Sequence, residues 1–133
     1  MERAPRIKVT SPSISEPSDG RVGSHCLKVG RLLFISGQVA RREGQLAGRG
    51  DALEQCRQAL RNVASLVQAG GGSLDDVVSL NIFLKDIRFR NAIIQARAEV
   101  FSDPGPTATV VGGVDLASED MLVEISAIAC LPE

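Results

Sequence analysis

Between Asp51 and Leu84 the chain runs through a helix, a stop and a strand in immediate succession, and this block limits the folds open to it. Leu53, Cys56, Leu60, Val63 and Val67 recur at three- and four-residue intervals, the spacing that lines one face of an α-helix. Asp51 and Glu54 stand three apart at the front of that stripe, a variant of the capping box with Asp in place of Ser or Thr. Gly70-Gly71-Gly72 follows; glycine accepts the left-handed conformation common at helix C-termini. Val77 to Leu84 then reads as a strand.

Cys26 to Val29 and Leu32 to Ser36 are short β-like runs joined through Gly30-Arg31, a hairpin pattern. Arg41 to Gly50 is a polar, glycine-spaced turn region. A second helix is expected over about Arg88 to Phe101, with Phe89, Ile93, Ala96 and Val100 on one face. Asp86 starts it and Pro104 follows its end. Thr107 to Gly113 and Met121 to Ala129 close the chain as strands. Residues 1–22, rich in Pro, Ser and Gly, read as a loosely ordered segment in which Arg6 to Thr10 can pair as an edge strand. Residues 23–133 form one domain, long enough to bury roughly two thirds of its unfolded surface.

The resulting order, ββ(β)αβαββ, is an α+β sheet with two helices. Two helices of this length cover one face of such a sheet and leave the other open. Val78, Leu80, Ile82 and Leu84 suit the helix side, leaving Val77, Ser79, Asn81 and Phe83 opposite. On the last strand Met121, Val123, Ile125, Ala127 and Ala129 share one face; Leu122, Glu124, Ser126 and Ile128 share the other. These second faces are too apolar for water and too polar for a dry core. Burial against partner subunits, with some polar groups left in clefts, meets both conditions.

Composition excludes several classes. Fifteen basic and sixteen acidic residues leave a net charge of −1, so no electrostatic footprint for nucleic acid or an anionic membrane is present. Trp and Tyr are absent, which removes the usual base-stacking platforms. Cys26, Cys56 and Cys130 are odd in number and widely spaced, without a CxxC pair or a Cys/His cluster. No metal, no cofactor and no disulfide framework is expected, and free thiols suit a reducing cytoplasm. The N-terminal MERAPRIKVTSPS has no apolar run, so no secretory signal is expected. No run reaches the ~20 apolar residues of a membrane span.

Five segments, in order, carry a resemblance. They are Gly30-Arg31-Leu32-Leu33-Phe34-Ile35-Ser36-Gly37-Gln38, Gln55-Cys56-Arg57-Gln58-Ala59-Leu60-Arg61-Asn62-Val63, Ala69 through Val78, Phe83-Leu84-Lys85-Asp86, and Val123-Glu124-Ile125-Ser126-Ala127-Ile128-Ala129. Over about residues 25 to 131 the chain resembles the YjgF or Rid (reactive intermediate deaminase) family. That resemblance implies a chorismate-mutase-like subunit, with a six-stranded mixed sheet, two helices on one face and ligand clefts between the subunits of a homotrimer. It implies activity like that of 2-iminobutanoate/2-iminopropanoate deaminases, which hydrolyse imine or enamine acids to keto acids and ammonia. It places the water-orienting glutamate at Glu124 and the pocket serine and glycine at Ser36 and Gly37. The anion-binding arginine of deaminating members falls in Pro106-Thr107-Ala108-Thr109, where this chain has Ala108. An alanine binds no carboxylate, so the resemblance is to an arginine-lacking branch.

Each candidate also has a plainer reading. Glu124 is either a cleft residue or a strand residue paired with a base at a subunit boundary. His25 precedes the Ser36-Gly37-Gln38 strand and is either a ligand-binding residue or a half-buried surface residue. Thr107 and Thr109 suit a strand, and their hydroxyls suit an uncharged ligand. A Cys26–His25 dyad is disfavoured because neighbours in a strand point to opposite faces. The Gly70–Gly72 run lacks phosphate-loop spacing. Two functions remain: a Rid-type hydrolase with Glu124 catalytic and Ser36, Gly37, Thr107, Ala108, Thr109 and His25 lining the pocket, or a non-catalytic trimer that binds a small molecule. An endoribonuclease is disfavoured by charge and aromatic content.

Overall fold

The computed structural model describes residues 1–17 and 20–133. Its frame is set by α1 (Ala52–Ala69). Asp51 caps the helix, accepting from the Glu54 backbone N–H at 3.0 Å, which satisfies one of the unpaired first-turn donors. Cys56, Ala59, Leu60, Val63, Leu66 and Val67 are all buried, as the stripe requires. At the far end Gly71 holds φ +106° while Gly70 stays helical. Gly70 is held by packing as well, since a Cβ there would stand 2.6 Å from Leu33 Cδ1.

The strands are β1 (Ile7–Val9), β2 (Cys26–Val29), β3 (Leu32–Gln38), β4 (Arg41–Arg42), β5 (Gln45–Leu46), β6 (Val77–Leu84), β7 (Thr107–Val111) and β8 (Val123–Cys130). Six of them form one sheet in the order β1-β2-β3-β8-β6-β7, and β4 and β5 make a separate two-stranded ribbon. That ribbon lies inside the expected turn region and was not foreseen. Among the described residues only β6 and β7 run parallel; α2 (Arg90–Val100) provides the crossover that a parallel pair needs. The two helices pack on one face of this mixed sheet, as expected, and the core lies between them and β3, β8 and β6.

Two expectations are corrected. Val77 is 5 % exposed and Val78 is 47 % exposed, the reverse of the expected assignment. The pairing of β6 with β8 shifts between Val77 and Ser79, and a bulge turns the residue before it to the other face. The second helix is also shorter than expected. Its first turn is a 3₁₀ turn at Ile87–Phe89 whose Arg88 N–H donates to Asp86 Oδ1. The α-helix proper starts at Arg90 without a side-chain cap, and Val100 is exposed. By contrast, Met121, Val123, Ile125, Ala127 and Ala129 are all buried on one face as expected.

Candidate functional site

On the open face of β8, Glu124 is half-buried and stands opposite Phe83 of β6. Its carboxylate has no hydrogen bond or ion pair among the described residues. It lies over Gly37: a Cβ at position 37 would stand 2.5 Å from Glu124 Cδ and 2.7 Å from Oε2. Only glycine leaves room for this contact. The approach depends on an irregularity in β3, whose register against β8 shifts between Ile35 and Gln38. Such bulges re-aim side chains.

Gln38 carries the arrangement from the sheet to His25. Its Nε2 donates to Ser36 O at 3.2 Å and lies 3.1 Å from His25 Nδ1. A carbonyl oxygen only accepts, so the amide nitrogen must face it, and His25 Nδ1 must then accept as well. The ring proton therefore sits on Nε2 and donates to Ser15 O at 3.2 Å. His25 also accepts through its own carbonyl from the Ser36 N–H at 2.9 Å. This histidine is tied into the backbone of the site, locked as the Nε2–H tautomer.

Asn62 of α1 anchors the loop that follows. Its Nδ2 donates to Val39 O and Arg41 O, both at 2.9 Å, and its Oδ1 accepts from Gln58. Gln38 and Asn62 were not singled out from the sequence. Their signal was present: a glutamine ending the Ser-Gly-Gln run, and an asparagine in the apolar stripe between Ala59 and Val63. Around them lies a cavity of about 390 Å³, lined by the Ser13–Pro17 segment, Arg21, His25, Gly37–Val39, Arg41 and Asn62 among others.

Thr107, Ala108 and Thr109 lie elsewhere in the chain. They sit on the exposed edge strand β7, opposite Ser79, Leu80 and Asn81. Three strand spacings separate β7 from β3, about 14 Å. The Thr107 hydroxyl is occupied, donating to Val78 O at 3.1 Å. Thus one chain brings Glu124, Gly37, Ser36 and His25 together, and leaves Thr107, Ala108 and Thr109 apart. Cys26 is fully buried, its thiol pushed up to about 11 by burial and by the Glu16 charge. Cys56 is pushed up to about 12 by burial. Neither thiol is a nucleophile at neutral pH.

The family model described as endoribonuclease L-PSP matches residues 17–131. The chain belongs to that family, also called YjgF or Rid. A RutC family protein of Pyrococcus horikoshii is 36% identical over 108 residues, covering 80% of this chain and 84% of that protein. Another relative, the 2-iminobutanoate/2-iminopropanoate deaminase of Dermatophagoides farinae, is 28% identical over 132 residues, covering 96% and 98%. Among solved structures, a putative endoribonuclease of Thermotoga maritima superposes with a TM-score of 0.83 at 27% identity, covering all of both chains. This Rid-family chain shares their fold across its whole domain. No helix among its described residues is long and apolar enough to cross a membrane.

Proposed function

We propose that this protein is a Rid-type hydrolase of small imines or enamines, working in clefts between the subunits of a homotrimer. The observation that carries the reading is Glu124: a carboxylate without a protein partner among the described residues, held against the backbone of Gly37. Imine hydrolysis asks little more than orientation and a base. Glu124 holds a water and takes its proton as the oxygen adds to the C=N carbon; the π electrons pass to nitrogen, which receives that proton to give a carbinolamine. Glu124 then takes the hydroxyl proton and returns it to nitrogen as the C–N bond breaks, leaving a carbonyl product, ammonia and the free carboxylate. Ser36 and Gly37 form the wall beside the reacting carbon. The deaminase relative supports this chemistry.

The trimer gives the edge strand its role. Thr107, Ala108 and Thr109 line a cleft with Ser36, Gly37 and Glu124 only if they come from a neighbouring subunit. The open face supports assembly, with Leu32, Phe34, Val78 and Val111 each at least 38 % exposed. Three free cysteines suit a cytoplasmic setting.

One observation favours a second reading. The Pro106-Thr107-Ala108-Thr109 segment offers no guanidinium for a substrate carboxylate, so the clefts of a non-catalytic trimer would bind an uncharged metabolite instead. Ribonuclease activity, which the family description suggests, is poorly served by a net charge of −1 and the absence of Tyr and Trp.

The deciding assay generates imino acids in situ with an amino acid oxidase and follows their loss in competition with semicarbazide trapping. Native protein should accelerate hydrolysis, and Glu124→Gln should lose on the order of 10²-fold or more while keeping its assembly state. Activity in Ala108→Arg alone would mean a competent scaffold whose natural ligand lacks a carboxylate. No activity in either favours the binding protein.

A further inference from the structure

Among the charged groups lining the cavity between the N-terminal segment and the β3–β4 loop, Glu16 is shielded without a partner, while Arg41 and Glu43 are exposed and unpaired among the described residues. Both carboxylate oxygens of Glu16 are shielded from solvent and have no hydrogen-bond partner among the described residues. A buried carboxylate without donors is costly, and chains keep one where something supplies the missing donors. His25 does not supply them, since its ring nitrogens are already committed to Gln38 and to Ser15 O. Arg41 lines the same cavity, and its guanidinium makes no hydrogen bond or ion pair among the described residues. The two opposite charges therefore face one space without closing on each other. Arg21 and Glu43 complete the charged lining and cancel in sign.

We infer that this cavity binds a small zwitterion of the amino-acid type, its ammonium on Glu16 and its carboxylate on Arg41. The volume of about 390 Å³ suits such a ligand. An ammonium brings the three N–H donors that the two Glu16 oxygens lack, and a guanidinium fork matches a carboxylate. The cavity adjoins the open-face cleft, sharing Gly37 and His25 with the candidate site, but neither Glu124 nor Ser36 lines it.

Calorimetric titration of the full chain with each of the twenty common L-amino acids tests this. At least one should bind, and both Glu16→Gln and Arg41→Gln should weaken it by about tenfold or more. Glu124→Gln should leave its affinity within about twofold. Absence of binding by all twenty overturns the inference, and so does affinity that survives Glu16→Gln. Loss of binding in Glu124→Gln also overturns it, by moving the ligand to the open face. A second readout concerns the empty protein. Glu16→Gln keeps the side chain's size and removes an unpaired charge, so its melting temperature should rise by about 3 °C. A fall would show that Glu16 is already satisfied and would equally overturn the inference. Binding is read without turnover, so failure of imine hydrolysis leaves this result standing, and the reverse holds too.

Discussion

Position 37 is where the site is most sensitive to a single atom. Adding a methyl group there puts carbon 2.5 Å from Glu124 Cδ, closer than side chains tolerate, so the carboxylate must move. Gly37→Ala is therefore expected to reduce imine hydrolysis on the order of 100-fold, with the chain still folded by circular dichroism. Unchanged turnover would mean that the contact is incidental. Both residues were legible in the sequence, because each lies within a recognisable family segment. Their contact was not, because it rests on a register shift between β3 and β8 that no local pattern encodes. Glu16 was illegible for a similar reason, since its isolation depends on where the N-terminal segment lies. The thiols give a second prediction. Burial holds Cys26 and Cys56 in the thiol form with values of about 11 and 12. A colorimetric thiol reagent at pH 8 should then titrate no more than one of the three cysteines in native protein, and all three after denaturation. Rapid reaction of two would contradict the packing around them.

At the scale of elements, α1 does more than cover the sheet. Gln55, fully buried, donates to Gly48 O and Asp120 O and accepts from the Leu122 N–H. It ties the loop before the helix to the segment that leads into β8, the strand of Glu124. Gln55→Leu fills similar space but leaves Asp120 O and the Leu122 N–H unpaired, Gly48 O keeping its bond from the Asp51 N–H, and is expected to cost about 3 kcal/mol in urea denaturation. The apolar stripe of α1 was readable because helical periodicity is local. The role of Gln55 was not, because Gly48, Asp120 and Leu122 come together only in the fold. The Val77 and Val78 exchange has the same origin, a bulge set by pairing with β8. The helices are also joined through Arg57, which donates to both carboxylate oxygens of Glu99, at 2.9 and 2.7 Å. Those bonds hold the Glu99 carboxyl below its usual 4.5. A depressed folded value means that the pair stabilises above about pH 4.5 and that this contribution fades as pH falls through the folded value. Glu99→Gln should thus lower the melting temperature modestly at pH 7, with the gap to native closing in more acidic buffer. A gap that stays constant with pH would assign the effect to packing.

For the whole molecule, the open face decides whether one chain is enough. Phe34 on β3 stands opposite Ile128 on β8, and Ile128 in turn stands opposite Ser79 on β6, beside the exposed Val78. A row of apolar side chains crosses the middle of the sheet where no helix covers it. Water is a poor neighbour for such a strip, and the proposed homotrimer would cover it with copies of the same chain. A charge placed in the strip should oppose that cover without touching the helix-side core. Phe34→Glu is accordingly expected to shift the mass in light scattering from three times the 14.1 kDa chain to a single chain. It should do so while the far-ultraviolet dichroism stays native. Its imine hydrolysis should fall with the assembly, even though Glu124 and Gly37 remain together in every chain, because Thr107 to Thr109 would no longer face them from a neighbour. A native protein that already scatters as a monomer would refute the shared cleft outright. A monomeric Phe34→Glu with full activity would keep the chemistry within one chain and leave the edge strand without a part in it.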